Sequence, residues 1–147
     1  MATTICLLAD RPELIGELAA GYEAWSPGWY GPGGRGDARA DLIARSQRGR
    51  IPIGLVAVDG EQAAGAVALA GESMSLQAEF GAWLVGLWVA PERRRQGLGV
   101  GLVRAAVREG RGLGISELRA GTAAATGVFE RAGWRRLEPI LHDGETV

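Results

Sequence analysis

The clearest pattern in the chain is an apolar run that leads into a segment with helical periodicity. Residues 82–90 are almost entirely apolar, which is typical of a strand buried on both faces. From Leu98 to Glu109, apolar residues recur along one stripe, including Leu102 and Ala106, with arginines on the opposite side. Between them lies a polar turn that begins at Pro91. We therefore predict a strand, a turn and an amphipathic helix in direct succession.

The residues before this segment predict one strand, two helices and a hairpin. An apolar run at 3–9 indicates the first strand, and Asp10 is expected to cap a helix with Glu13 three residues later. Residues 26–36 are rich in Pro and Gly and predict a loop. Asp37 begins a second helix, which Gly49 is expected to stop. Two apolar runs, 53–58 and 63–70, flank Asp-Gly and predict a hairpin.

The residues after the amphipathic helix alternate between the two kinds of element. We predict a strand at 115–120, a helix at 123–132, a strand at 134–141 and a hairpin turn at Asp143-Gly144. The element order β-α-α-β-β-β-α-β-α-β predicts an α/β fold with a mixed sheet that contains antiparallel hairpins and at least one crossover. No long linker interrupts residues 1–147, so a single domain is expected.

Composition narrows the classes of partner. The chain has 147 residues, of which 47% are hydrophobic and 22% charged, as in ordinary globular proteins. A net charge of −1 does not favour nucleic acid or an anionic membrane surface, and no apolar run is long enough for a membrane span. The sequence therefore predicts a cytoplasmic protein. Cys6 is the only cysteine and His142 the only histidine, so we predict neither a disulfide nor a metal site.

The turn before the amphipathic helix has the composition of an anion site. Three consecutive arginines, residues 93–95, precede Gly97 and Gly99 at the helix start. The first N–H groups of a helix have no intrahelical acceptor, and the helix dipole favours negative charge there. We predict a phosphate-bearing ligand. A dinucleotide site is the alternative: its glycine pattern requires glycine where Leu102 stands, although Glu117 lies near the position of a ribose-binding acid.

Two segments resemble the GNAT superfamily of acyl-CoA-dependent N-acetyltransferases. Arg94-Arg95-Gln96-Gly97-Leu98-Gly99 fits its (Gln/Arg)-x-x-Gly-x-(Gly/Ala) signature, and residues 125–134 are similar to its late helix. In element order the resemblance covers nearly the whole chain. It implies a GNAT-type central mixed, mostly antiparallel sheet flanked by helices, with acetyl-CoA as co-substrate.

The resemblance also implies roles for individual residues. Pantetheine is expected to pair with the backbone of the central strand beyond a bulge, and the Val89 N–H to support the thioester oxygen. Phe129 stands where the family often carries a tyrosine that protonates the departing thiolate. The residues expected to bind the cofactor are Leu87, Trp88, Val89, Arg94, Arg95, Gln96, Gly97, Leu98, Gly99, Val100 and Phe129.

The residues that move protons are less evident. Glu79, just before the central strand, is a candidate base, and Tyr30, in the predicted loop, is a candidate acid. The leading hypothesis is a transferase that acetylates a primary amine of a small molecule. Because Phe129 lacks a hydroxyl and no base is obvious, the alternative is a regulatory module that binds acetyl-CoA without catalysis. A nucleotide-dependent oxidoreductase is a third hypothesis.

Two further predictions concern surfaces. Trp29 and Trp83 are expected either to pack in the interior and at its edge or to line an apolar acceptor pocket. The final hairpin is short, which is expected to leave a sheet edge that a partner covers. We therefore predict a homodimer.

Overall fold

The computed structural model describes residues 3–71, 82–94, 96–115, 118–120, 134, 141–142 and 145–146. Its strands are β1 (Thr4–Leu7), β2 (Ile53–Asp59), β3 (Gln62–Ala70), β4 (Ala82–Val89), β5 (Leu118–Ala120), β6 (Leu141–His142) and β7 (Glu145–Thr146). Its α-helices are α1 (Ile15–Trp25), α2 (Pro27–Tyr30), α3 (Ala38–Ala44) and α4 (Leu98–Gly112), and short 3₁₀ turns lie at Leu8–Asp10, Pro12–Leu14 and Pro91–Arg93.

The main sheet has the order β1-β2-β3-β4-β5. Neighbouring strands are antiparallel from β1 to β4, whereas β5 runs parallel to β4. A parallel neighbour requires a crossover, which α4 provides between these two strands. This arrangement confirms the predicted α/β fold with a mixed, mostly antiparallel sheet. Separately, β6 and β7 form the hairpin expected around Asp143-Gly144.

Helices cover both faces of the sheet. On one face, α1 and α3 pack Leu18, Tyr22 and Leu42 into a buried cluster with Val56 and Trp88 of the sheet. On the other face, α4 contributes residues to a second cluster with β2, β3 and β4: Leu102, Val103, Ala105 and Ala106. Because both faces of β2 and β3 are covered, these strands are apolar except at the hairpin end, where Asp59 and Gln62 lie, rather than alternating.

Close packing of α1 against β4 depends on one glycine. A Cβ added to Gly21 would lie only 2.5 Å from Cζ2 of the Trp88 indole. Glycine therefore lets the helix backbone lie directly on this ring, which is 7% exposed. The contact brings the last turns of α1 beside the second half of β4.

Several element boundaries differ from the sequence predictions. Asp10 does not cap α1, because the 3₁₀ turn at Pro12–Leu14 separates it from the helix start at Ile15. Its carboxylate instead pairs with Arg48 at 2.5 Å. Asp37 does cap α3, where its Oδ1 accepts from the Ala40 N–H at 3.0 Å. That helix ends at Ala44 rather than at Gly49.

The other differences are local. The predicted loop at 26–36 contains the one-turn helix α2, which has proline at its first position. The strand predicted from residue 115 is seen as β5, which begins at Leu118, and Ile115 lies before it outside regular structure. The helix predicted at 123–132 lies outside the described residues, as does most of the strand predicted at 134–141.

Candidate active site

A bulge interrupts β4 at its centre. Ala66 pairs with Trp88 and Ala68 with Val85, so two residues of β4 stand opposite one residue of β3. One of the two, Gly86, has φ of +63°, a conformation that residues with a Cβ rarely adopt. Bulges of this kind bend a strand and redirect its backbone groups. The part of β4 after Gly86 is therefore set at a new angle to β3.

A buried tyrosine holds the bulge. The Tyr22 hydroxyl donates a hydrogen bond to the Gly86 carbonyl at 2.5 Å. Its side chain is 1% exposed, and this burial raises the pKa of the phenol well above its ordinary value. The hydroxyl is thus a permanent donor, and α1 fixes the orientation of the bulge carbonyl.

Beyond the bulge, backbone groups of β4 point away from β3. The Ala90 N–H donates to the Ala64 carbonyl at 2.9 Å, which makes Gly65 and Val89 a pair without mutual hydrogen bonds. The Val89 N–H and carbonyl therefore face the side on which β5 lies. Among the described residues, β5 pairs with β4 only at 82–84, so no described strand covers that side of Val89.

The arginines after β4 have different surroundings. Arg93 forms an ion pair with Asp59, whose side chain is only 3% exposed, so a buried carboxylate already neutralises its charge. Arg94 is exposed, and its Nε donates to the Val89 carbonyl at 3.1 Å. Arg95 lies outside the described residues. Arg94 therefore brings a guanidinium to the uncovered side of β4.

The start of α4 presents unsatisfied donors. Gly97 is the N-cap residue with φ of +79°, and no side chain caps the helix. The Gly101 N–H bonds to the Gly97 carbonyl at 3.1 Å, but within the described part of the chain no backbone acceptor binds the N–H groups at residues 98–100. Gln96 and Gly97 are exposed. Free N–H groups, a helix dipole and Arg94 together suit a phosphate group.

A polar cluster lies on the other side of the bulge, next to α1 and α3. The Tyr30 hydroxyl donates to Asp41 Oδ2 at 2.7 Å, and its ring centroid is 5.8 Å from that of Tyr22. Burial raises the pKa of Tyr30, the bond to Asp41 raises it further, and nearby Arg45 opposes both. A Cβ on Gly86 would lie 3.0 Å from Arg45 Nη1, so the guanidinium is beside the bulge.

Sequence reasoning identified Tyr30 but missed Asp41 and Arg45. Their spacing of four residues places both on one side of α3, which is a detectable signal. Nothing in the spacing shows that this side faces β4, because that contact joins residues about forty positions apart.

The remaining predicted site residues are distributed as follows. Leu87 and Val89 are half-buried toward α4, whereas Trp88 is buried toward α1. Trp83 is 2% exposed and belongs to the interior, while Trp29 is 40% exposed with Arg35 at 5.5 Å from its ring centroid. The predictions for Glu79 and Phe129 fall outside the described residues.

Two absences apply to the described part of the chain. It contains no group of three or more His, Cys, Asp or Glu residues that could hold a metal ion. None of its helices has the length and apolar character needed to cross a membrane.

The sequence itself matches a family model. The model of the Acetyltransferase (GNAT) family covers residues 18–134. The chain belongs to the GNAT acetyltransferase family. This confirms the resemblance found in the motif at residues 94–99. No curated protein matches the chain by sequence.

Solved structures share the fold at low sequence identity. The aminoglycoside N-acetyltransferase AAC(6′)-Iy in complex with CoA aligns with a TM-score of 0.72 and 19% identity over 95% of this chain and 92% of its own. A predicted acetyltransferase with acetyl-CoA from Clostridium acetobutylicum aligns at 0.68 and 13%, over 96% and 95% of the two chains. An N-acetyltransferase from Staphylococcus aureus Mu50 gives 0.74 and 14%, over 95% and 87%.

Proposed function

We propose that this GNAT protein transfers the acetyl group of acetyl-CoA to a primary amine of a small molecule. The observation that carries the proposal is the bulge in β4, with the uncovered backbone of Val89 on one side and the uncapped start of α4 close along the chain. CoA or acetyl-CoA is bound in neighbouring structures of the same fold, which supports the choice of co-substrate.

The start of α4 is suited to the pyrophosphate of the cofactor. The N–H groups of Leu98, Gly99 and Val100 would donate to its oxygens, with Gln96 and Gly97 exposed beside them. Arg94 would add charge, and we predict the same of Arg95. Gly97 has no Cβ, and no atom lies within 4 Å of the position that a Cβ would occupy. A phosphate can therefore approach the backbone closely.

The uncovered side of β4 is suited to the pantetheine arm and the thioester. Pantetheine amides would pair with the backbone at residues 87–89 like an added strand. Acetyl-CoA supplies an activated acyl group, and the Val89 N–H would stabilise the charge that develops on its carbonyl oxygen. Holding the amine and the acyl group together in the right orientation accounts for the rest of the rate enhancement.

Proton transfer stays a prediction for both candidate residues. Glu79 is proposed as the base that removes the ammonium proton. Tyr30 keeps its proton because its pKa is raised, but its hydroxyl is donated to Asp41. To protonate the thiolate it would have to exchange that acceptor, so we expect its contribution as an acid to be small.

The direct test measures the release of free CoA thiol when the protein is saturated with acetyl-CoA and mixed with each of a panel of primary amines. We expect at least one small amine to give thiol release well above hydrolysis, with the acetylated amine found by mass spectrometry. Tight acetyl-CoA binding without transfer to any amine would instead support the non-catalytic regulatory module.

Location and assembly stay predictions as well. The sequence predicts a cytoplasmic homodimer. A mass measured by light scattering at micromolar concentration tests the assembly, since a monomer would contradict it.

A further inference from the structure

The polar cluster beside the bulge carries an inference about the acceptor, which rests on the proposed function. Its members are Tyr22, Tyr30, Asp41 and Arg45, and they lie on the face of the sheet that α1 and α3 cover. The Val89 backbone, by contrast, points within the plane of the sheet, toward β5. The cluster therefore flanks the reaction position without forming part of the expected cofactor site.

Arg45 contacts the Tyr30 hydroxyl and has further donors to spare in this cluster. Arg45 is half-buried, yet no carboxylate oxygen of a described Asp or Glu lies within 4.0 Å of its guanidinium nitrogens. Asp41 is held by the Tyr30 hydroxyl at 2.7 Å. Tyr22 already donates to the Gly86 carbonyl, so the bulge does not require Arg45 as a donor. A partly desolvated guanidinium has five N–H donors and is stabilised by an anion.

We propose that Arg45 binds a carboxylate on the acceptor, which makes the acceptor a primary amine that also carries a carboxylate. The planar guanidinium matches a carboxylate through two parallel hydrogen bonds. The Arg45 guanidinium lies next to Gly86. A carboxylate bound there would lie beside the residue that directly precedes residues 87–89, the segment of β4 proposed to hold the thioester. An amine a few bonds away from that carboxylate then reaches the acyl carbon.

The signs of charge in the cluster agree with this acceptor. Arg45 offers a positive group and Asp41 a negative one, so a molecule with one ammonium and one carboxylate finds one partner on α3 and the other on the residue that follows it. An acceptor with several ammonium groups and no carboxylate would meet Arg45 as a like charge. The proposal thus separates amino-acid-like amines from polycationic ones.

Binding to the protein saturated with CoA, which cannot transfer an acyl group, tests the proposal without turnover. Calorimetric titration compares matched pairs of amines: glycine with glycinamide, β-alanine with β-alaninamide and phenylalanine with phenylalaninamide. We expect the carboxylate member of at least one pair to bind about 10- to 100-fold more tightly, as for a charge-assisted bidentate contact. Equal affinity within every pair, or no binding of any carboxylate, would overturn the proposal.

Three variants identify the side chain responsible. In Arg45→Gln the preference for the carboxylate should disappear, and in Arg45→Lys it should be partly retained because a charge remains. Arg39→Gln removes the same charge from an exposed position of α3 and should keep the preference. A preference that survives in Arg45→Gln would assign the carboxylate to another residue and refute the proposal.

Turnover separates this proposal from the proposed function. With acetyl-CoA, the same pairs should show a carboxylate preference in kcat/KM that Arg45→Gln abolishes while the affinity for acetyl-CoA is kept. The carboxamides have the less basic amines, so a preference for the carboxylate cannot arise from amine protonation. Carboxylate binding without thiol release would uphold the role of Arg45 and refute the transferase; thiol release equal within every pair would do the reverse.

Discussion

The two sides of the bulge in β4 are built in different ways. On the side proposed for the cofactor, all the candidate groups except Phe129 come from one contiguous segment, residues 87–100, and most of them belong to the backbone. On the side proposed for the acceptor, they are side chains from α1, α2 and α3 and the residue after α3, brought together only by the fold. Backbone donors at a helix start depend on local conformation, whereas a side-chain cluster depends on tertiary packing. The cofactor side should therefore tolerate substitutions in α1, α2 and α3 that disrupt the acceptor side.

The bulge itself belongs to both sides, so changing it should have the largest effect. In Gly86→Ala, the new Cβ would press on Arg45 Nη1 at 3.0 Å and Tyr22 Oη at 3.2 Å. We expect kcat to fall about 100-fold, the scale of a displacement of reacting groups by about 1 Å.

Gly60→Ala is the matched control for that change. Gly60 has nearly the same φ, +64°, but no atom within 4 Å of the added Cβ. Both substitutions should lower the free energy of unfolding by about 1–2 kcal/mol through backbone strain, and only Gly86→Ala should lower kcat. Equal kcat in the two variants would show that the bulge does not orient the reaction.

The cofactor side is tested by removing Arg94, which is exposed, together with the neighbouring Arg95. In Arg94→Ala with Arg95→Ala, we expect the Kd for acetyl-CoA by calorimetry to rise about 10- to 100-fold, as for the loss of charge-assisted contacts to phosphate. The melting temperature should stay close to that of the original protein. Arg104→Ala with Arg108→Ala removes the same charge from exposed positions of α4. If both double variants weaken binding equally, the arginines act through net charge rather than as a site.

The link between the sides is tested through the Tyr22 hydroxyl. Tyr22→Phe removes the hydrogen bond to the Gly86 carbonyl but keeps the ring, which is packed against Trp88 with centroids 5.9 Å apart. We expect kcat to fall about 10-fold, equivalent to about 1.4 kcal/mol, with the affinity for acetyl-CoA almost unchanged. A change in that affinity alone would place the effect on the cofactor side instead.

The smallest effect is expected at Phe129, which belongs to the cofactor side by family resemblance. Phe129→Tyr should raise kcat only modestly, because the rest of the chain did not evolve around a hydroxyl at this position. The increase should stay well below the gain of about 100-fold or more that an optimally placed general acid gives. Phe129→Leu should leave kcat nearly unchanged. A large loss in Phe129→Leu, with acetyl-CoA affinity intact, would show that the ring positions the thioester.

The same contrast explains what could be predicted from the sequence. The hairpin at Asp59-Gly60, the cap at Asp37 and the helix start at Gly97 follow from local residue types, and the structure has all three. The family resemblance implied a bulge ahead of the segment at residues 87–89 but not which residues form it. An isolated glycine such as Gly86 within an apolar strand is a weak signal. Asp10 was expected to cap a helix but pairs with Arg48 instead. The two residues are far apart in the sequence, so a local sequence pattern does not predict this pair.

The ion pair between Arg93 and Asp59 should respond to ionic strength differently from the exposed Arg94. Because the Asp59 side chain is only 3% exposed, salt in the solvent screens this pair weakly, and the turn after β4 should keep its attachment to the β2–β3 hairpin in concentrated buffer. The attraction between Arg94 and a phosphate is exposed to solvent, so dissolved ions screen it more strongly. Raising the salt concentration should therefore weaken acetyl-CoA binding steadily while the turn that receives the cofactor stays in place, ready to bind it again on dilution.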